Sequence, residues 1–208
     1  MVISLRIKPL MNKPLMNKPS MFFVPLLISI ALSCPAAGTT IQYFGLAELT
    51  QHAATIFLGT CDSAVDVEID GHPYKRISFA VHQTLKGEKR ATRTVYLPGG
   101  QSKGQLVRYV GMPHITPDEE IVLFLTPADP QGHAWPVGLS QGKFSVRRAD
   151  GSARVGRDLH GASLYGTPAP GAAKAAERLD GMPLDQFLQH VRHLLVTDIE
   201  ETGDKRAE

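Results

Sequence analysis

The stretch that most restricts this chain is residues 70–88, DGHPYKRISFAVHQTLKGE. Ile77, Phe79, Val81 and Leu85 fall on one parity, and Arg76, Ser78, His82 and Thr84 on the other. Alternation with period two over this length specifies a long antiparallel strand with an apolar face and a wet face. Asp70-Gly71-His72-Pro73 is turn chemistry at its start, and Gly87 ends it. The other strand signals are shorter. TIFLGTCDSAV predicts a strand over 55–65, TRTVYLPGG one over 92–100 and QLVRYVG one over 105–111. EIVLFLTP, residues 120–127, is apolar almost throughout and is expected to be buried on both sides. HAWPVGLSQGKFSVRRADG predicts two more strands around Gly138 and Gly142, ending in a turn at Asp150-Gly151. Five to seven short strands separated by turn signals imply a sandwich or a barrel. A small closed barrel is favoured, because closure leaves no edge to aggregate.

The N-terminal residues are of a different kind. The unit LMNKP is written twice within residues 8–19, so Met11, Met16 and Met21 each offer a start. MFFVPLLISIAL, residues 21–32, follows Lys8, Lys13 and Lys18 and precedes the small residues of SCPAAG. A basic segment, a short apolar run and a small-residue cleavage zone define a secretory signal. The run is too short to span a bilayer, which takes about 20 residues. Residues 1–33 are therefore expected to be a signal peptide with a duplicated leader. Their loss removes Arg6, Lys8, Lys13 and Lys18 and takes the formal charge from +2 to −2. The mature domain then lacks the basic footprint of a nucleic-acid binder.

Cys34 and Cys61 are the two cysteines. In an exported chain they invite a disulfide. Closing a loop of about 27 residues stabilises by about 3–4 kcal/mol in the chain-entropy model. Cys34 also sits on the cleavage zone, which leaves three outcomes open. Cleavage before it makes it the mature N-terminus, cleavage after it leaves Cys61 a lone thiol, and Ala31-Leu32-Ser33-Cys34 resembles a lipidation signal.

After a β domain expected over 34–150, residues 151–181 are rich in Gly, Ala and Pro and read as a connector. A C-terminal helix is expected over 182–200. Leu184, Phe187, Leu188, Val191, Leu194 and Leu195 form one stripe on it at spacings of three and four, with Pro183 in its first turn. Residues 201–208 read as a disordered tail. A short helical pattern over 46–53 precedes the first strand.

Candidate chemistry is sparse. Gly138-Leu139-Ser140-Gln141-Gly142 matches the G-x-S-x-G nucleophile elbow. That motif works where a strand bends into a helix, whereas KFSVRRADG continues as a strand, so a glycine-flanked hairpin is expected. His52, His72, His82, His114, His133, His160, His190 and His193 are scattered. His190 and His193 share a helix face without a third metal ligand, so they read as solvated. Asp118, Glu119 and Glu120 read as a solvated turn. Lys103, Arg108, Arg147 and Arg148 make a basic strip with few aromatics, a weak nucleic-acid signal.

IDGHPYKRISFAVHQTLKG resembles the second long strand of tissue inhibitors of metalloproteinases (TIMPs) and related netrin-like modules. The shared features are a Gly-x-Pro turn, a Lys-Arg pair, alternating apolar residues and Lys-Gly. The resemblance covers residues 34–148. LKG, PGG, VGMP, EEIVLFL and GLSQGKF are similar to segments of secreted bacterial proteins of unassigned function. The TIMP resemblance implies a mainly β, OB-like antiparallel barrel, closed or partly open. It also implies that the amine and carbonyl of Cys34 chelate the zinc of a target protease, with a disulfide to the barrel holding them in place. Pro35 then stands where that family places a small hydroxyl residue, and Cys61 must serve as the disulfide partner, since GGQSKGQL holds no cysteine. The whole reading is an exported, non-catalytic protein-binding module, secreted or periplasmic, with no cofactor and no intrinsic metal. A secreted metalloprotease is its sharpest partner, and membrane contact comes only through export or lipidation at Cys34. A structural or lipid-anchored envelope protein is the alternative, and a serine hydrolase using Ser140 the remote one.

Overall fold

Asp70 and Gly71 both take positive φ, 50° and 78°, as a two-residue type I′ hairpin loop requires. In the computed structural model, which describes residues 40–157, 163–165 and 179–204, this turn joins the two longest strands. They are β2, Thr55–Ile69, and β3, His72–Lys86. Strand β1, Thr40–Gln42, and helix α1, Leu46–His52, precede them. After them come β4 (Thr92–Pro98), β5 (Gly100–Ser102), β6 (Gln105–Val107) and β7 (Glu120–Leu125). Then follow β8 (Lys143–Ala149), β9 (Ser152–Gly156), β10 (Ser163–Tyr165) and helix α2 (Leu184–Asp204). Asp150-Gly151 repeats the turn chemistry between β8 and β9, with φ of 50° and 74°.

The chain is mainly β. Six strands form one antiparallel sheet in the order β4-β3-β2-β7-β8-β9, and β1–β10 and β5–β6 form two small pairs. The expected closure is corrected: the sheet ends at β4 and β9, and among the described residues no ladder joins them. The strand expected over 55–65 runs on to Ile69, because β3 continues to pair with it, Val65 opposite Arg76 and Val67 opposite Tyr74. The strand expected over 105–111 stops at Val107. Only one of the two strands expected around residues 138–142 forms, as β8. Strand β9 lies where a connector was expected, because its residues pair with β8 from Ser145 opposite Gly156 to Ala149 opposite Ser152. Helix α2 extends into the expected tail as far as Asp204. The signal peptide, Cys34 and Pro35 lie outside the described residues.

Each face of the sheet builds its own core. On one face Ile56 and Leu58 of β2, Val122 and Phe124 of β7, and Phe144 and Val146 of β8 meet Leu46 and Leu49 of α1. The predicted stripe of α2 closes this side: Leu184, Phe187, Leu188 and Val191 are buried, and Leu194 and Leu195 pack at its end. On the other face Phe57 and Cys61 of β2 join Ile77 and Phe79 of β3, Val95 and Leu97 of β4, and Ile121, Leu123 and Leu125 of β7. Alternate residues of β2 and β7 thus serve opposite cores, so β7 reads as a continuous apolar run. The long strand keeps its predicted parity at Ile77, Phe79 and Val81, but Leu85 packs into the helix-side core instead. Register shifts leave His82 and Leu85 as extra residues on β3, and such bulges re-aim the side chains beyond them.

Candidate functional site

The face opposite the two helices is closed by chain without regular structure, residues 108–119 between β6 and β7. Ile115 of this loop is buried in the core. Pro113 and Pro117 lack the N–H that a ladder needs, so polar bonds from elsewhere hold the loop. Ser140 N donates to Gly111 O at 2.8 Å, and Lys143 Nζ donates to His114 O at 2.6 Å. Cys61 N donates to Glu119 O at 2.9 Å, and Asp118 N to Cys61 O at 2.8 Å.

The strongest of these clamps is an ion pair. Lys143, 4% exposed, places its Nζ 2.6 Å from Glu119 Oε1. The same oxygen accepts a hydrogen bond from Ser145 Oγ at 2.8 Å, and Glu119 Oε2 accepts from Thr116 N at 3.2 Å. Burial alone raises the Glu119 pKa, but the hydrogen bonds from Lys143 and Ser145 and the Lys143 charge outweigh it and hold the carboxyl below its ordinary value. The solvated turn expected at Asp118, Glu119 and Glu120 holds at Asp118, which is exposed in a turn, and is corrected at the other two. Glu119 is an interior latch, and Glu120 accepts both Arg148 Nε and Arg148 Nη2 at 2.7 Å.

The clamped loop forms one wall of a cleft of about 520 Å³. The exit of β4 at Leu97 and Pro98 and the β5–β6 pair supply the other walls. Leu106, Tyr109 and Val110 stand on its rim at 61%, 52% and 55% exposure. Three large apolar side chains are thus exposed together around one cleft. Lys75 and Arg108 add positive charge. Lys75 Nζ bonds Asp66 Oδ1 at 2.6 Å, and that hydrogen bond lowers the Asp66 pKa despite some burial. Its described lining is mostly apolar, with Lys75, Arg108, Tyr109 and His114 as the polar side chains.

The G-x-S-x-G stretch proves to be internal scaffolding. Gly138 is left-handed, Leu139–Gly142 is one 3-10 turn, and a strand follows it, so neither a hairpin nor a nucleophile elbow forms. Ser140 is 0% exposed. A Cβ on Gly142 would lie 2.5 Å from Val137 O, so only glycine fits there. Gln141, missed in the sequence, does most of the tying. Its buried amide accepts from Phe44 N at 2.8 Å and donates to Gln42 O at 2.7 Å.

The remaining candidates are dispersed. His190 and His193 are exposed, as expected, and so is His72. His82 Nε2 lies 2.7 Å from Thr60 Oγ1. The His52 ring meets Phe44 edge-on, His114 holds the latch through its carbonyl, and His160 lies outside the described residues. His133 lies between Tyr74 and Tyr96, with ring centroids 6.0 and 5.4 Å away. Among the described residues no group of His, Cys, Asp and Glu could hold a metal ion, and no helix is long and apolar enough to cross a membrane. The basic strip divides: Lys103 pairs with Glu68, Arg148 with Glu120, and Arg108 lines the cleft. The expectation that Cys61 is held in a disulfide is corrected: it is a free thiol, fully buried, and burial pushes its pKa up. Searches against family models, curated proteins and solved structures find no match to this chain.

Proposed function

We propose that the chain is an exported, non-catalytic protein-binding module whose sheet curls into a partly open, OB-like barrel. A partner protein occupies the cleft beside β4. The observation that carries this reading is the rim: Leu106 of β6 is exposed together with Tyr109 and Val110, which stand on a loop fixed at Gly111, His114 and Glu119 by bonds to the sheet and to the turn ahead of β8. A clamped apolar surface binds with little ordering cost. The curl is supported by His133, from the segment after β7, which touches Tyr74 of β3 and Tyr96 of β4. The burial of Ser140 supports binding over hydrolysis.

Selection from a displayed library of random peptides tests the reading. The native protein is expected to enrich one family of sequences, and Tyr109→Asp to lose it at an unchanged unfolding midpoint. Failure of the native protein to enrich any sequence would overturn the reading. Metalloprotease inhibition is the sharper form of the proposal and turns on Cys34 as the mature N-terminus. N-terminal sequencing with intact mass decides it, because an acylated or missing Cys34 removes the chelating amine and leaves the envelope-protein alternative.

A further inference from the structure

The two edges of the main sheet are treated differently by the chain. The outer edge of β9 is covered: Val155 N donates to Met182 O at 2.9 Å, and Gly181 N to Val155 O at 2.8 Å. The outer edge of β4 has no backbone partner among the described residues. The register identifies which groups are left open. Val81 N donates to Ala91 O and Gly99 N to Pro73 O, and the β3–β4 pairing between them is unbroken from Ala80 opposite Thr92 to Tyr74 opposite Pro98. Hydrogen-bonding direction alternates along an antiparallel strand. Arg93, Val95 and Leu97 therefore turn their N–H and C=O towards β3. Thr92, Thr94 and Tyr96 turn theirs outward. Thr92 and Thr94 are exposed, and Tyr96 leans on His133. Pro98, next in the outward series, has no N–H to offer and ends the open run.

We propose that this edge is a strand-addition site for an extended, acidic segment of the partner protein, a proposal that rests on the protein-binding reading above. An added strand gains main-chain hydrogen bonds from the edge and specificity from pockets for its alternate side chains. Both are available here, because Leu97 and Pro98 at the end of β4 are also walls of the apolar cleft. Charge selects the occupant. Residues 86–98 carry Lys86, Lys89, Arg90 and Arg93 against one acid, Glu88. Glu88 is already held by Arg90 at 2.7 Å, Lys86 Nζ donates to Thr50 O at 2.9 Å, and Arg93 lies over the Phe57 ring and donates to Glu88 O, so Lys89 and Arg90, both exposed, are the cations nearest the open edge. An antiparallel addition sets the acidic C-terminal half of the segment beside Lys89 and Arg90, and its apolar N-terminal half at the cleft. The same cations oppose pairing of this edge with the β4 edge of a second copy.

The probe is a capped peptide of alternating valine and threonine ending in two glutamates. Amide exchange of the native protein is expected to slow at Thr92 and Thr94 when it binds. Thr94→Pro removes one outward N–H at an edge position that tolerates proline, and is expected to weaken binding about tenfold. A lysine-ended peptide is expected to bind more weakly. If peptide binding is lost in Tyr109→Asp but survives in Thr94→Pro, with exchange at Thr92 and Thr94 unchanged, the edge proposal fails and the binding reading stands. The edge proposal also fails if the probe does not bind while library peptides do. If nothing binds the native protein, both fall. Should Thr94→Pro not fold, the exchange measurement on the native protein decides alone.

Discussion

The two faces of the sheet are closed by different physics. The helix side is closed by apolar area: Leu49, Phe187 and Val191 are all 0% exposed against β7, β8 and β9. The loop side is closed by Ile115 together with a polar latch, Glu119 with Lys143 and Ser145. Burial is non-directional and indifferent to charge state. A buried ion pair depends on both partners being present and charged, and loses strongly when one is removed. The helix side therefore acts as the fixed half of the molecule, and the loop side, which carries the cleft rim, as the half whose order is conditional.

The largest effect is expected on the helix side. Phe187→Ala removes a ring that packs 4.7 Å from Phe144 and should lower stability by about 3–5 kcal/mol, read from urea unfolding. A loss under about 1 kcal/mol would mean that α2 is not part of the core and would end the contrast between the faces. Next comes the latch. Glu119→Gln leaves the Lys143 ammonium buried without its counter-charge, and should cost about 3 kcal/mol, the lower end for a broken buried pair because the Glu119 side chain keeps 21% exposure. Adding Lys143→Met should recover much of that loss, since a neutral pair leaves no buried charge unpaired. If the double variant is as unstable as the single one, the latch acts through shape and the charge argument fails.

Cys61 sharpens the comparison without a change in global stability. Its thiol is buried under the clamped loop, and its raised pKa keeps it protonated near neutral pH. Alkylation of the native protein should therefore be limited by opening of the loop. Glu119→Gln should speed it about tenfold for every 1.4 kcal/mol by which opening becomes easier. Equal rates in the two proteins would show that the latch does not guard this face.

The two faces were also unequally legible in the sequence. The stripe of α2 and the alternation from Ile77 to Val81 were readable because periodicity is a local property, and burial followed it. The Asp-Gly turns were readable because few residues tolerate positive φ. That the sheet, among the described residues, leaves β4 and β9 unjoined could not be read, since alternation fixes faces and says nothing about which edges meet. The bulges that divert Leu85 left no mark in its parity. The latch was hidden because Glu119 and Lys143 are far apart in sequence. The one signal available was Lys143 and Ser145 sharing the parity opposite Phe144 and Val146 in β8. The strand at the cleft rim was drawn too long, past Val107, because Tyr109 and Val110 look apolar whether they pack inward or stand exposed.

The smallest expected effect is the response to acid, and it separates the faces most directly. The Glu119 carboxyl titrates below its ordinary value of 4.5 in the folded protein. Its contribution is therefore fully present above that ordinary value and is lost as pH falls through the lower folded value. Protonation removes the charge that Lys143 needs but leaves an oxygen able to accept from Ser145, so the loss should be smaller than in Glu119→Gln. Bonds at the latch should register it first: the amides of Cys61, bonded to Glu119 O, and of Asp118, bonded to Cys61 O. Their exchange, corrected for the intrinsic effect of pH, should lose protection on acidification while the amides around Phe187 and Val191 in α2 keep theirs. In Glu119→Gln the acid-dependent part of that difference should vanish. Loss of protection at both faces in one step, with the variant behaving like the native protein, would mean that the sheet opens as a single unit and that Glu119 does not make the loop side conditional.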